Sequence, residues 1–108
     1  MLKRDAILAF KDKRIGKVEV PAFGGEVGLA TLTAAEADRI RTLGEDGTPA
    51  SVGIVLLGAC DETGERLFKD DDKDFLAGLP AAEVGMIAKA ILEHNGLTGD
   101  SQDAAKND

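Results

Sequence analysis

Residues 15–36 read IGKVEVPAFGGEVGLATLTAAE, and this stretch decides the fold class. Ile15, Lys17, Val18, Glu19 and Val20 alternate as a strand does. Pro21 ends that strand because it has no amide proton to give a ladder. Gly24 and Gly25 can reverse the chain, and Glu26 to Leu32 alternate again with Val27, Leu29 and Thr31 on one face. The reading is a β-hairpin with a connection of four or five residues. Thr33-Ala34-Ala35-Glu36 then has capping-box spacing: Thr33 accepts from the N3 amide while Glu36 reaches back. The period therefore changes from two to 3.6 within a few residues. A lone hairpin is poorly stable in water, so one of its faces must lie on helices.

Working outward, the capped helix is expected to run to about Leu43, burying Ala37, Ile40 and Leu43 and leaving Asp38, Arg39 and Arg41 wet. Gly44 to Pro49 is a polar loop with an Asp46-Gly47 turn. Segment 50–60, ASVGIVLLGAC, is apolar throughout. Its β-branched residues suit a buried strand, while its length and Pro49 at the first turn favour a buried helix. Asp61 to Gly64 is a tight turn. Asp70, Asp71 and Asp72 suit a helix start, where amides are unpaired, and Phe75, Leu76 and Leu79 are the expected core side of that helix. After Pro80, residues Val84, Ile87, Ala88, Ile91 and Leu92 form a single apolar face. Asn95-Gly96 offers a left-handed stop, with Leu97 folding back on the last turn. Before the hairpin, LKRDAILAF over 2–10 is a short helix with Ile7, Leu8 and Phe10 as its apolar side, which needs docking to persist.

The expected architecture is α+β: a small β-hairpin packed against a bundle of about four to five short helices. It forms a single domain over 1–98, with a disordered tail over 99–108. The chain of 108 residues has room for one hydrophobic core.

Composition narrows the function. The four aromatics are all Phe, there is one Cys, and the net charge is −7. A single cysteine rules out an internal disulfide framework and suits a reducing compartment. The longest apolar run, 52–60, is too short to span a membrane, and no secretory signal follows Lys3 and Arg4, so a cytoplasmic location is expected. Nucleic acid is an unsuitable partner for a chain this acidic, because phosphate binding relies on cationic neutralisation. Charge is unevenly placed, however: the first 17 residues are basic and the remainder mostly acidic. A partner with a basic surface, or head-to-tail contact between copies, fits that asymmetry.

No catalytic, cofactor or metal site is expected. An EF-hand frame with Gly64 at its sixth position puts Ala59 at the first and Asp70 at the twelfth, so the ligand set fails. Cys60 and His94 alone cannot complete a zinc site. Cys60 reads as a small core residue and His94 as a favourable charge in the last turn of its helix. Gly24-Gly25 and Gly28 match neither phosphate-loop pattern. Binding of other proteins is the expected activity. The candidate contacts are Phe10, Phe23 and Phe68, near element ends, and the basic group Lys11, Lys13, Arg14 and Lys17. Core positions for all three phenylalanines remain the alternative.

Taken in order, Val18 to Gly25, Leu32 to Glu36, Asp61 to Phe68, Asp70 to Asp72 and Ala90 to Leu97 resemble tail assembly chaperones of long-tailed bacteriophages and related tail-like gene clusters. The resemblance covers roughly residues 15–97. Its main departure is Ala22-Phe23, where the family pattern has an acidic residue followed by Trp. The resemblance implies a non-enzymatic role in tail morphogenesis: binding the tape measure protein, keeping it soluble, helping recruit tail tube protein, and absence from the finished particle. It also implies a possible homo-oligomer, and in some members a frameshifted longer form. The rival classes are a small regulatory, antitoxin-like adaptor that binds one partner, and a structural tail completion protein.

Overall fold

In the computed structural model the protein is a small α+β domain, a three-stranded antiparallel sheet with five short helices. The structure describes residues 1–11 and 13–97, so the expected tail over 99–108 lies outside the described residues. The order is α1 (Arg4–Leu8), β1 (Gly16–Val20), β2 (Gly25–Leu29), α2 (Ala34–Arg39), α3 (Ala50–Gly58), β3 (Ala59–Cys60), α4 (Lys73–Ala77) and α5 (Ala81–His94).

The hairpin forms as read. β1 and β2 pair from Gly16 opposite Leu29 to Val20 opposite Gly25. Pro21 opens a single 3-10 turn through Phe23, and Gly24 closes it at φ 80°, a left-handed conformation that suits glycine. Directly opposed residues share a face, so Val18, Val20, Val27 and Leu29 point into the core. Lys17, Glu19 and Glu26 stand on the other face. The capping box at Thr33 is complete: Glu36 N donates to Thr33 Oγ1 at 3.1 Å, and Thr33 N donates to Glu36 Oε1 at 2.8 Å.

Segment 50–60 is both of the things its composition allowed. It is a helix to Gly58 and then a two-residue strand, Ala59–Cys60, antiparallel to Gly28–Leu29. The hairpin is thus widened to three strands. α3 is buried on all sides from Val52 onward, the placement expected of a helix apolar around its circumference. α5 packs beside it and also covers the core face of β1 and β2. Val84, Ile87, Ala88 and Ile91 are its buried face, as the spacing predicts. Leu97 N donates to Leu92 O at 2.7 Å beyond the left-handed Gly96, giving the fold-back at the end of α5.

Three expectations need correction. The capped helix ends at Arg39 and gives way to a 3-10 turn over Ile40–Thr42, and Ala37, Ile40 and Leu43 are half-buried rather than buried. Phe75 is not core: it is 62% exposed, whereas Leu76 is 2% exposed. α4 is barely more than one turn, so only one direction around its axis faces α3. Leu76 occupies that direction, and Phe75, about 100° away, faces out. The apolar side of α1 also has no dock, since none of the α1 residues is buried.

Candidate protein-interaction surface

The root of the N-terminal segment is fastened to the end of α5. Thr31 Oγ1 donates to the Arg14 carbonyl. His94 Nε2 lies 3.2 Å from the same oxygen and 3.3 Å from Thr31 Oγ1. In the tautomer that carries its proton on Nε2, the ring donates to this carbonyl, which can only accept. The imidazole also lies against Gly16, where an added Cβ would fall 2.7 Å from Nδ1. His94 therefore holds the start of β1 by shape as well as by hydrogen bonding.

Beyond this anchor the segment presents a single exposed surface. Leu2, Ile7, Leu8 and Phe10 are all exposed, Phe10 to 72%, and Lys11, Lys13 and Arg14 are exposed beside them. Apolar residues flanked by cations suit an amphipathic, acidic partner. Lys17 sits in β1 on the outer sheet face, 3.7 Å from Glu26 Oε2.

The remaining candidates lie elsewhere. Phe23, 46% exposed, is in the hairpin turn, roughly 13 Å along β1 from Gly16. Phe68 is half-buried and packs on the core cluster. The seven candidates therefore do not make one patch. Phe10, Lys11, Lys13 and Arg14 lie in the N-terminal segment, Lys17 is on the outer face of β1, Phe23 is separate, and Phe68 contributes mainly to packing.

Asp61 and Cys60 are engaged structurally. Asp61 Oδ1 accepts from Thr63 Oγ1 at 2.6 Å, Thr63 N at 2.8 Å and Glu65 N at 3.1 Å. The Thr63 hydroxyl, followed by its amide, holds the Asp61 carboxyl below the usual carboxylate range. Cys60 is buried against β2, and burial, followed by the Asp61 charge, pushes its thiol up. A raised thiol pKa leaves less thiolate, the reactive form. Among the described residues, no three His, Cys, Asp or Glu side chains gather to hold a metal ion.

Two structurally important side chains were not legible as such in the sequence. Arg66 Nε donates to Leu56 O at 2.9 Å, satisfying a carbonyl in the last turn of α3. Asn95 joins the end of α5 to the strand region: Nδ2 donates to Ala30 O at 3.0 Å and to Ile91 O at 2.9 Å, while Leu32 N donates to Oδ1 at 2.8 Å. An Asn just before a glycine signals a helix end, but nothing local names its partners.

Fold and surface together give a small α+β domain whose exposed apolar residues, Leu2, Ile7, Leu8 and Phe10, stand beside exposed Lys11, Lys13 and Arg14. Among solved structures it is similar to the tail assembly chaperone of bacteriophage HK97. The likeness has a TM-score of 0.61 at 18% identity, covering 82% of this chain and 89% of that one. The two proteins share a fold. No protein-family model matches the chain, and no curated protein matches it.

Proposed function

We propose that the protein is a non-enzymatic chaperone of phage-like tail assembly. In this reading it binds the tape measure protein, keeps it soluble in the cytoplasm, and helps recruit tail tube subunits without remaining in the finished particle. The observation that carries the proposal is the shared fold with the HK97 tail assembly chaperone over most of both chains. The exposed Leu2, Ile7, Leu8 and Phe10, with Lys11, Lys13 and Arg14 beside them, support it, because a long amphipathic helical client needs an apolar surface with directional charge.

The test is co-expression with the tape measure protein encoded in the same gene cluster. The reading expects the client to move into the soluble fraction and to co-purify with this chain. A client that stays insoluble, with no complex on a sizing column, would overturn it. Mass spectrometry of finished particles separates a chaperone, which is absent, from a tail completion protein, which persists.

A further inference from the structure

β1 lies at the edge of the sheet and is paired only with β2. Among the described residues, no main-chain group of Gly16–Val20 has a backbone hydrogen bond outside that ladder. The register is continuous across all five residues, with neither bulge nor proline within the strand. Bulges, prolines and repeated lysines are the usual guards of an edge strand, and this one carries a single lysine.

Its charges have a particular symmetry. Lys17 and Glu19 are exposed on the same outer face, with opposite signs, one on each side of Val18. Within the chain, Glu19 lies directly opposite Glu26, and Lys17 Nζ stands 3.7 Å from Glu26 Oε2, so Glu19 is in no ion pair among the described residues. A cation on the open side of Glu19 would supply the partner it lacks.

We propose that β1 pairs antiparallel with β1 of a second copy about a two-fold axis at Val18, joining the two sheets into one of six strands. In that register Lys17 lies opposite the partner's Glu19, and Glu19 opposite the partner's Lys17. Each Glu19 then has a cation directly opposite it. Parallel in-register pairing would set Lys17 beside Lys17 and Glu19 beside Glu19. Antiparallel pairing centred on residue 17 or 19 would put like charges on the axis. Only the axis at Val18 makes both contacts attractive. Continued outward, the same register brings the exposed Ile15 to the partner's Pro21, next to the hairpin turn that carries the exposed Phe23. The interface therefore has apolar contacts at both ends and a charged centre. It stands whether or not the tail-assembly reading does.

Sedimentation velocity of the full chain over a concentration series provides the test, with Lys17→Glu and Glu19→Lys as separate variants. Each variant alone sets like charges opposite each other twice per dimer and is expected to weaken dimerisation roughly tenfold or more. An equimolar mixture of the two restores every contact as an attractive pair, so heterodimers are expected to form from chains that do not pair with themselves. The double variant K17E/E19K is expected to dimerise like the unaltered protein. Both positions are exposed, so thermal melting of each variant checks that the fold is retained. An unaltered protein that stays monomeric at every concentration would overturn the proposal. So would single variants that dimerise undiminished, or a mixture that gains nothing; a partner strand from another protein is then the remaining occupant.

Discussion

Gly58 and Ile91 are in direct contact where α3 crosses α5. A Cβ on Gly58 would stand 3.0 Å from Ile91 Cδ1 and 3.1 Å from Cγ1, and closer still to Cγ2. Both residues are buried, so neither helix can move aside without disturbing the core. Gly58→Ala is expected to destabilise the fold by about 1–3 kcal/mol through overpacking, despite the better helix propensity of alanine. Ile91→Ala should cost about 2–5 kcal/mol in the native background, and distinctly less once Gly58→Ala is present. Urea unfolding of the four proteins in this cycle measures the coupling; strictly additive losses would mean that the two side chains do not compete for the same space.

Asn95 ties helix to strand through both ends of its amide. Asn95→Ala leaves Leu32 N and Ala30 O, both half-buried, without this partner, and should cost about 1–3 kcal/mol in urea unfolding. Asn95→Asp is the informative companion. Its carboxylate can still accept from Leu32 N but cannot donate to Ala30 O or Ile91 O, so less than full stability should return.

The Asp61 turn gives the fold an acid-sensitive component. Hydrogen bonds from Thr63 and Glu65 favour the ionised carboxylate, so its pKa is lower in the folded than in the unfolded chain. The resulting stabilisation is fully present above the unfolded carboxyl's pKa and is lost as pH falls through the folded one. Asp61→Asn keeps an acceptor for the same amides but does not titrate. Wild type should therefore exceed the variant in stability at neutral pH, and the gap should close on acidification. A gap independent of pH in chemical denaturation would remove the titration from the explanation.

The exposed segment should be separable from folding. Leu8→Ser together with Phe10→Ser alters only exposed side chains and should change stability by no more than about 0.5 kcal/mol at each position. Under the proposed function, the same pair should weaken capture of the tape measure protein. Reversing the charges of Lys11, Lys13 and Arg14 should weaken it further, most visibly at low salt, where surface charges are least screened. Pull-downs across a salt series, alongside thermal melts, read both effects. Client capture that survives all five substitutions would assign binding to another surface.

The sequence by itself determined those features that contiguous residues can specify. Thr33 and Glu36 carry both halves of a cap within four positions, Gly24 supplies the left-handed turn after Pro21, and Val84 to Ile91 repeat at the helical period. Each depends on backbone geometry over one or two turns, so no distant partner is needed to read it. The basic character of the first 17 residues was legible for a similar reason, because it depends on composition alone, but that α1 would stay undocked was not. Tertiary structure decided the rest. Ala59–Cys60 become a strand only because the free edge of β2 lies alongside. Phe75 faces water because Leu76 holds the single inward direction of a short helix. Arg66 and Asn95 find carbonyls and amides supplied by other elements, up to 65 positions away. The outcome for 15–36 shows the division most clearly. Its hairpin and capped helix could be read residue by residue, but whether that hairpin would gain a third strand, and which edge would stay open, depended on where segment 50–60 packed.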